Sequence, residues 1–136
     1  MNTKGILAIV AGILSWWVGF FAIGGAFALL VPGFIEASRI AQSENDWSQF
    51  TTPLLLCLVA MYFVINPLAG WVTTLIAKNQ KYVWGTIILL TLYAAHSHLY
   101  RLWDNLANWY NVAVVVLIPP LAYLGSKLIK TEAAKL

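Results

Sequence analysis

Residues 5–31 read GILAIVAGILSWWVGFFAIGGAFALLV, twenty-seven positions without a charged side chain, and the run stops at Pro32-Gly33. A hydrocarbon core takes about 20 helical residues to cross, so this stretch is long enough for one passage. Ala26-Phe27-Ala28 has the form of a leader cleavage site. The apolar run is nevertheless too long for a leader, whose core spans only about 7–15 residues. It reads as a retained transmembrane helix.

Three further apolar runs follow, over 52–77, 82–102 and 109–129. Backbone groups in lipid have no water to bond, so a spanning segment closes its hydrogen bonds internally as a helix or joins a closed barrel. None of the four runs alternates polar and apolar residues, which leaves helices. The chain is 61% apolar and 10% charged, with mean hydropathy +0.78, against about a quarter charged in an ordinary soluble domain. A soluble fold of 136 residues leaves too much surface exposed to hide that much apolar area. The expected fold is therefore all-α: an integral membrane four-helix bundle in one transmembrane domain, 1–136, with an outer loop over 32–51.

The net charge of +3 does not point to nucleic acid, because the basic residues form no stripe. They stand at the ends of the apolar runs. Lys4, Lys78, Lys81, Lys127, Lys130 and Lys135 share one side with Glu132; Arg39 and Arg101 share the other with Glu36, Glu44, Asp46 and Asp104. Lysine and arginine accumulate on the cytoplasmic side, which places both termini in the cytoplasm and the protein in an inner (plasma) membrane. Trp47, Trp103, Trp109 and Tyr110 then mark the outer interface, and Tyr82 and Trp84 the inner one. Within the outer loop, Phe34, Ile35 and Ile40 mix with Glu36, Arg39 and Gln42, a pattern suited to a short helix lying in the interface. The inner turn 78–81 is too short for a soluble domain.

In the first helix small residues recur at Gly5, Ala8, Gly12, Ser15, Gly19, Ala22 and Ala26. Small side chains let backbones approach closely in lipid, where no hydrophobic force drives helices together. The second run offers a matching line at Asn66, Gly70, Thr73 and Ala77, so these two helices are expected to pack. The other side of the first helix carries Ile9, Ile13, Trp16, Phe20 and Phe27, expected to face lipid or a partner. Pro67-Leu68-Ala69 and Pro120-Leu121-Ala122 repeat a short pattern, each followed nine residues after its proline by an isoleucine and then a lysine-bearing end. Two hairpins related by a weak parallel repeat would give it. Pro67 and Pro120 each remove a backbone donor and mark expected kinks.

The opening Lys-Gly-Ile-Leu-Ala-Ile-Val-Ala-Gly, the Leu-Ala-Gly-Trp-Val-Thr-Thr-Leu-Ile-Ala end of the second run, the Trp-Tyr entry to the fourth and its Pro…Leu-Gly exit carry a resemblance. The chain resembles a loose group of small bacterial four-helix inner-membrane proteins without an assigned activity. The resemblance describes packing and implies no reaction.

Polar residues gather near the outer end of the third run: Tyr93, His96, Ser97, His98, Tyr100 and Arg101. With Asn66, the residues Tyr93, His96, His98, Tyr100 and Arg101 are the candidate ligand-binding set. On a straight helix Tyr93, His96 and Tyr100 share a face, while His98 is turned roughly 200° from His96. Two histidines so placed cannot hold one metal, and no intramembrane acid or second cysteine completes a site. Cys57 is alone. No metal and no cofactor is expected. Three readings of His96 stand side by side: a core histidine bonded to Asn66 or a tyrosine, a ligand or proton-relay residue in an outward-open cavity, or part of a surface meeting a partner or lipid headgroup through Arg101. Arg101 and Asp104 are expected to pair at the water boundary.

No nucleophile with a base, phosphate loop or paired carboxylate is present, so nothing names a reaction and enzyme ranks last. Two functions remain. One is an accessory or interaction subunit of a larger membrane assembly; the other is a small transporter or ligand-binding membrane protein, oligomeric, with its polar site in the outer half of the third helix.

Overall fold

The computed structural model describes residues 2–129, and every regular element among them is a helix. Lys130, Glu132 and Lys135, which the charge count used, lie outside the described residues. Helix α1 spans Thr3–Leu30, opened by Asn2, whose Oδ1 accepts from the Gly5 amide at 2.9 Å. Val31 is extended, as the residue before a proline prefers, and the helix stops there. A left-handed Gly33 (φ 81°) then launches α2, Phe34–Glu44, which ends on a left-handed Asn45. Helix α3, Thr52–Ala77, has Pro53 in its first turn, where a missing N–H costs nothing. Left-handed Lys78 ends α3, and a 3-10 turn, Gln80–Tyr82, leads into α4, Val83–Ala94. The chain continues as a π-helix over Ala95–Arg101 before α5, Asn108–Lys127. Helix α3 runs on through Pro67, and α5 through Pro119 and Pro120.

Among the described residues three helices, α1, α3 and α5, are each long and apolar enough to cross a membrane. Helix α3 lies between the other two. On one side Gly12 meets the Thr73 side chain and Gly19 meets Ile65, so α1 and α3 run antiparallel. On the other side Gly70 lies against the backbone of Ala122 and Gly125 against the backbone of Pro67. At both glycines a Cβ would strike main chain, which cannot move aside. The Pro-Leu-Ala segments of α3 and α5 are thus packed on each other. Helix α4 runs beside α1 in the same direction: Gly5 packs on the Tyr82 ring, Gly85 on Ile9, and the rings of Trp16 and Tyr93 stand 6.4 Å apart. Thr73 and Thr86 join α3 to α4 at 2.8 Å. Since Thr73 already donates to Ala69 O at 2.9 Å, Thr86 is the donor of that pair.

The small-residue line of α1 is only partly used. Gly5, Ala8, Gly12 and Gly19 are buried and Ser15 half-buried, whereas Ala22 and Ala26 are exposed. Gly70, expected to face α1, packs on α5 instead. The aromatic ridge is a clearer correction. Ile9 and Trp16 are buried, and Ile13, Phe20 and Phe27 are half-buried against the core. One residue along a helix is a rotation of about 100°, so a ridge displaced by one from the seam flanks it and does not oppose it. The exposed side of α1 is Leu7, Leu14, Val18 and Phe21.

Candidate functional site

A cavity of about 500 Å³ opens in the half of the molecule that holds α2, within the range of about 300–1,000 Å³ usual for small-molecule sites. It exists because α1 and α4 part company. They touch from Gly5 to Trp16, but farther along α1 Gly24 and Gly25 have nothing within 4 Å of where a side chain would begin. The cavity follows α1 from Trp16 to Ala28, about 18 Å at 1.5 Å per residue. Its deep end is aromatic. Trp16 and Trp17 stand edge-on at 5.2 Å, Tyr93 approaches Trp17 to 5.3 Å, and Tyr62 lies 6.1 Å from Trp16.

The roof is α2, a short helix where the mixed residues of the 32–51 segment suggested one. Phe34, Ala37 and Ala41 are buried, Phe34 between Phe27 and Phe50 at 5.6 and 6.1 Å. Ile35 is 61% exposed, so the apolar side of α2 is narrower than its composition suggests. Ser38 and Gln42, one turn apart, face the cavity. The outward side carries Glu36 and Arg39, paired through two hydrogen bonds of 2.6 and 3.1 Å. That guanidinium holds the Glu36 carboxyl below its ordinary range, although a pair so exposed adds little to stability.

The remaining wall is the π-helix. Its i→i+5 closure, seen where the Leu102 amide bonds Ser97 O at 2.9 Å, makes a wider turn than an α-helix. Tyr93, Ala94, Ser97, His98 and Arg101, spaced i, i+1, i+4, i+5 and i+8, line one continuous wall. His96 and Tyr100 fall outside it, exposed, with their rings stacked at 5.7 Å. The straight-helix reading put Tyr93, His96 and Tyr100 together, and the structure keeps only His96 and Tyr100 side by side.

His98, not His96, is the buried histidine. Its Nδ1 lies 3.1 Å from Asn111 Oδ1. Asn111 directs its amide nitrogen to the carbonyls of Leu102 and Leu106, at 3.1 and 3.3 Å. The oxygen must therefore face the imidazole, which makes Nδ1 the donor and leaves Nε2 for a molecule in the cavity. Asn111 closes the turn between the π-helix and α5, and sequence reasoning missed it. The signal was there: an amide inside an apolar run, one turn from its start. Asn66 sits away from the cavity, fully buried, accepting from the Trp16 indole at 2.8 Å.

Arg101 lines the cavity mouth and is exposed. The expected pairing with Asp104 is not formed: among the described residues the one ion pair within 4 Å is Glu36–Arg39. Among the described residues that line the cavity, Arg101 alone carries a charge. Among the described residues no three histidine, cysteine or acidic side chains gather as a metal site would need. Comparison with protein-family models, curated proteins and solved structures finds no match for the chain.

Proposed function

We propose that the chain is a multi-pass protein of a bacterial inner membrane that binds a small hydrophobic or amphipathic molecule in the cleft between α1 and the π-helix. The four-span arrangement, with both termini cytoplasmic, rests on the lysine bias and on α4 continuing through Ala95–Arg101, nineteen helical residues beside three longer apolar helices. The observation that carries the binding reading is the cavity itself: about 500 Å³, aromatic in depth and polar at its mouth. Nothing in its lining supplies a nucleophile with a base, so the reading is binding or transfer without bond chemistry.

A photoactivatable long-chain diazirine, carried in a lipid nanodisc with the full chain, tests it. Adducts should concentrate on Tyr93, Phe20 and Ser97. Labelling spread evenly over Leu7, Leu14 and Val116, which are exposed away from the cleft, would mean ordinary annular lipid and would end the reading.

A second reading, an accessory subunit of a larger membrane assembly, draws on α1. Ala22, Gly25 and Ala26 are exposed there, offering the close approach a partner's helix requires. Purification in a mild detergent separates the two: a sharp monomer with no co-purifying chain would count against a partner or a homo-oligomer.

A further inference from the structure

We propose that the molecule held in the cleft is an amphiphile with an oxyanion headgroup, a phosphate or carboxylate, anchored at Arg101 beneath α2 with its apolar chain among the rings of Trp16, Trp17 and Tyr93. This rests on the cleft being a binding site and adds the chemistry of what it binds. The first support is the distribution of polarity along one wall. Tyr93 and Arg101 are eight residues apart along the same wall, and between them the lining passes from aromatic rings to a single positive charge.

The second support is that the charge is uncompensated. Among the described residues no acidic side chain lines the cavity, and none lies within 4 Å of Arg101 as a partner. A guanidinium presents a planar fork of donors that matches an oxyanion, and such charge-assisted bonds are about twice as strong as neutral ones. The third support is the set of neutral groups at the same mouth. Ser38 and Gln42 reach it from α2, and Ser97 from the π-helix. Each can donate to an anion.

The experiment compares hexadecyl phosphate, hexadecanol and inorganic phosphate on the full chain in nanodiscs of neutral lipid, with retained molecules counted by native mass spectrometry. The wild type should retain hexadecyl phosphate about tenfold better than hexadecanol, the scale of one charge-assisted contact. Arg101→Gln should erase that preference without changing hexadecanol retention, and Arg101→Lys should keep part of it. Gly24→Leu, which adds a side chain where nothing lies within 4 Å, should block both amphiphiles while melting like the wild type. Equal retention of the two amphiphiles by the wild type, or an unchanged preference in Arg101→Gln, overturns the oxyanion headgroup and leaves the cleft standing. Unchanged retention of both in Gly24→Leu overturns the cleft itself. Displacement by inorganic phosphate alone would make the ligand a free anion and overturn the lipid-like chain.

Discussion

The indole N–H of Trp16 donates to Oδ1 of Asn66 across 2.8 Å, fifty residues apart in sequence and buried between α1 and α3. The Nδ2 of Asn66 is buried without a partner among the described residues, so the indole is the side chain's one hydrogen bond. This bond turns the ridge of α1 inward and sets the back wall of the cleft. Trp16→Phe should lower stability by about 1 kcal/mol, between the values typical of membrane and soluble hydrogen bonds. The double variant Trp16→Phe/Asn66→Leu should recover part of the loss, because two apolar groups need no partner. Thermal unfolding in detergent reads both; a double variant less stable than the single one would show that the bond does not govern this contact.

Asn111 is bonded to three groups, His98, Leu102 O and Leu106 O, so its removal should cost more. Asn111→Ala is expected to destabilise by about 2–3 kcal/mol, the upper part of the range for stranding buried polar groups. Hydrogen exchange should speed up across residues 102–106 in particular. Unchanged exchange there would mean that other contacts hold the turn.

Gly70→Ala and Gly125→Ala should each lose about 1–3 kcal/mol, as overpacking against backbone does, since both methyls would meet main chain of the facing helix. Gly25→Ala, on the open part of α1, should change the melting temperature little. If all three variants melt alike, the α3–α5 contact is looser than its geometry.

Orientation is read by cysteine accessibility in intact cells, in a Cys57→Ser background. A cysteine at Lys78 should resist a membrane-impermeant maleimide added from outside, while one at Ser43, exposed at the end of α2, should react. The reverse pattern would invert the chain in the membrane and place the mouth of the cleft on the cytoplasmic face.

Element type was legible in the sequence wherever composition alone forces it. A run such as 5–31 has no charged side chains to offer water, and its backbone must bond within itself; the structure has α1 over Thr3–Leu30. Small residues at Gly5, Gly12 and Gly19 marked a close approach for a similarly local reason. The polar cluster was legible as a place and not as an arrangement. His96 drew attention by its depth, yet it is exposed, while His98 is buried. That exchange was decided by which face of the helix turned toward α5, where Asn111 meets His98, and spacing along one helix does not say which face turns inward.

By itself, the sequence determined that the described chain is helical and that its longest helices suit a membrane, because both follow from the solvation of backbone and side chains within one segment. Which faces meet was decided by tertiary structure. Gly70 chose α5 over α1, Trp16 turned to Asn66, and α1 diverged from α4 to leave a cleft under α2. These outcomes depend on how several helices share space at once. In an apolar run nearly every face is equally greasy, so hydropathy gives no direction, and close packing with a few buried hydrogen bonds has to choose it.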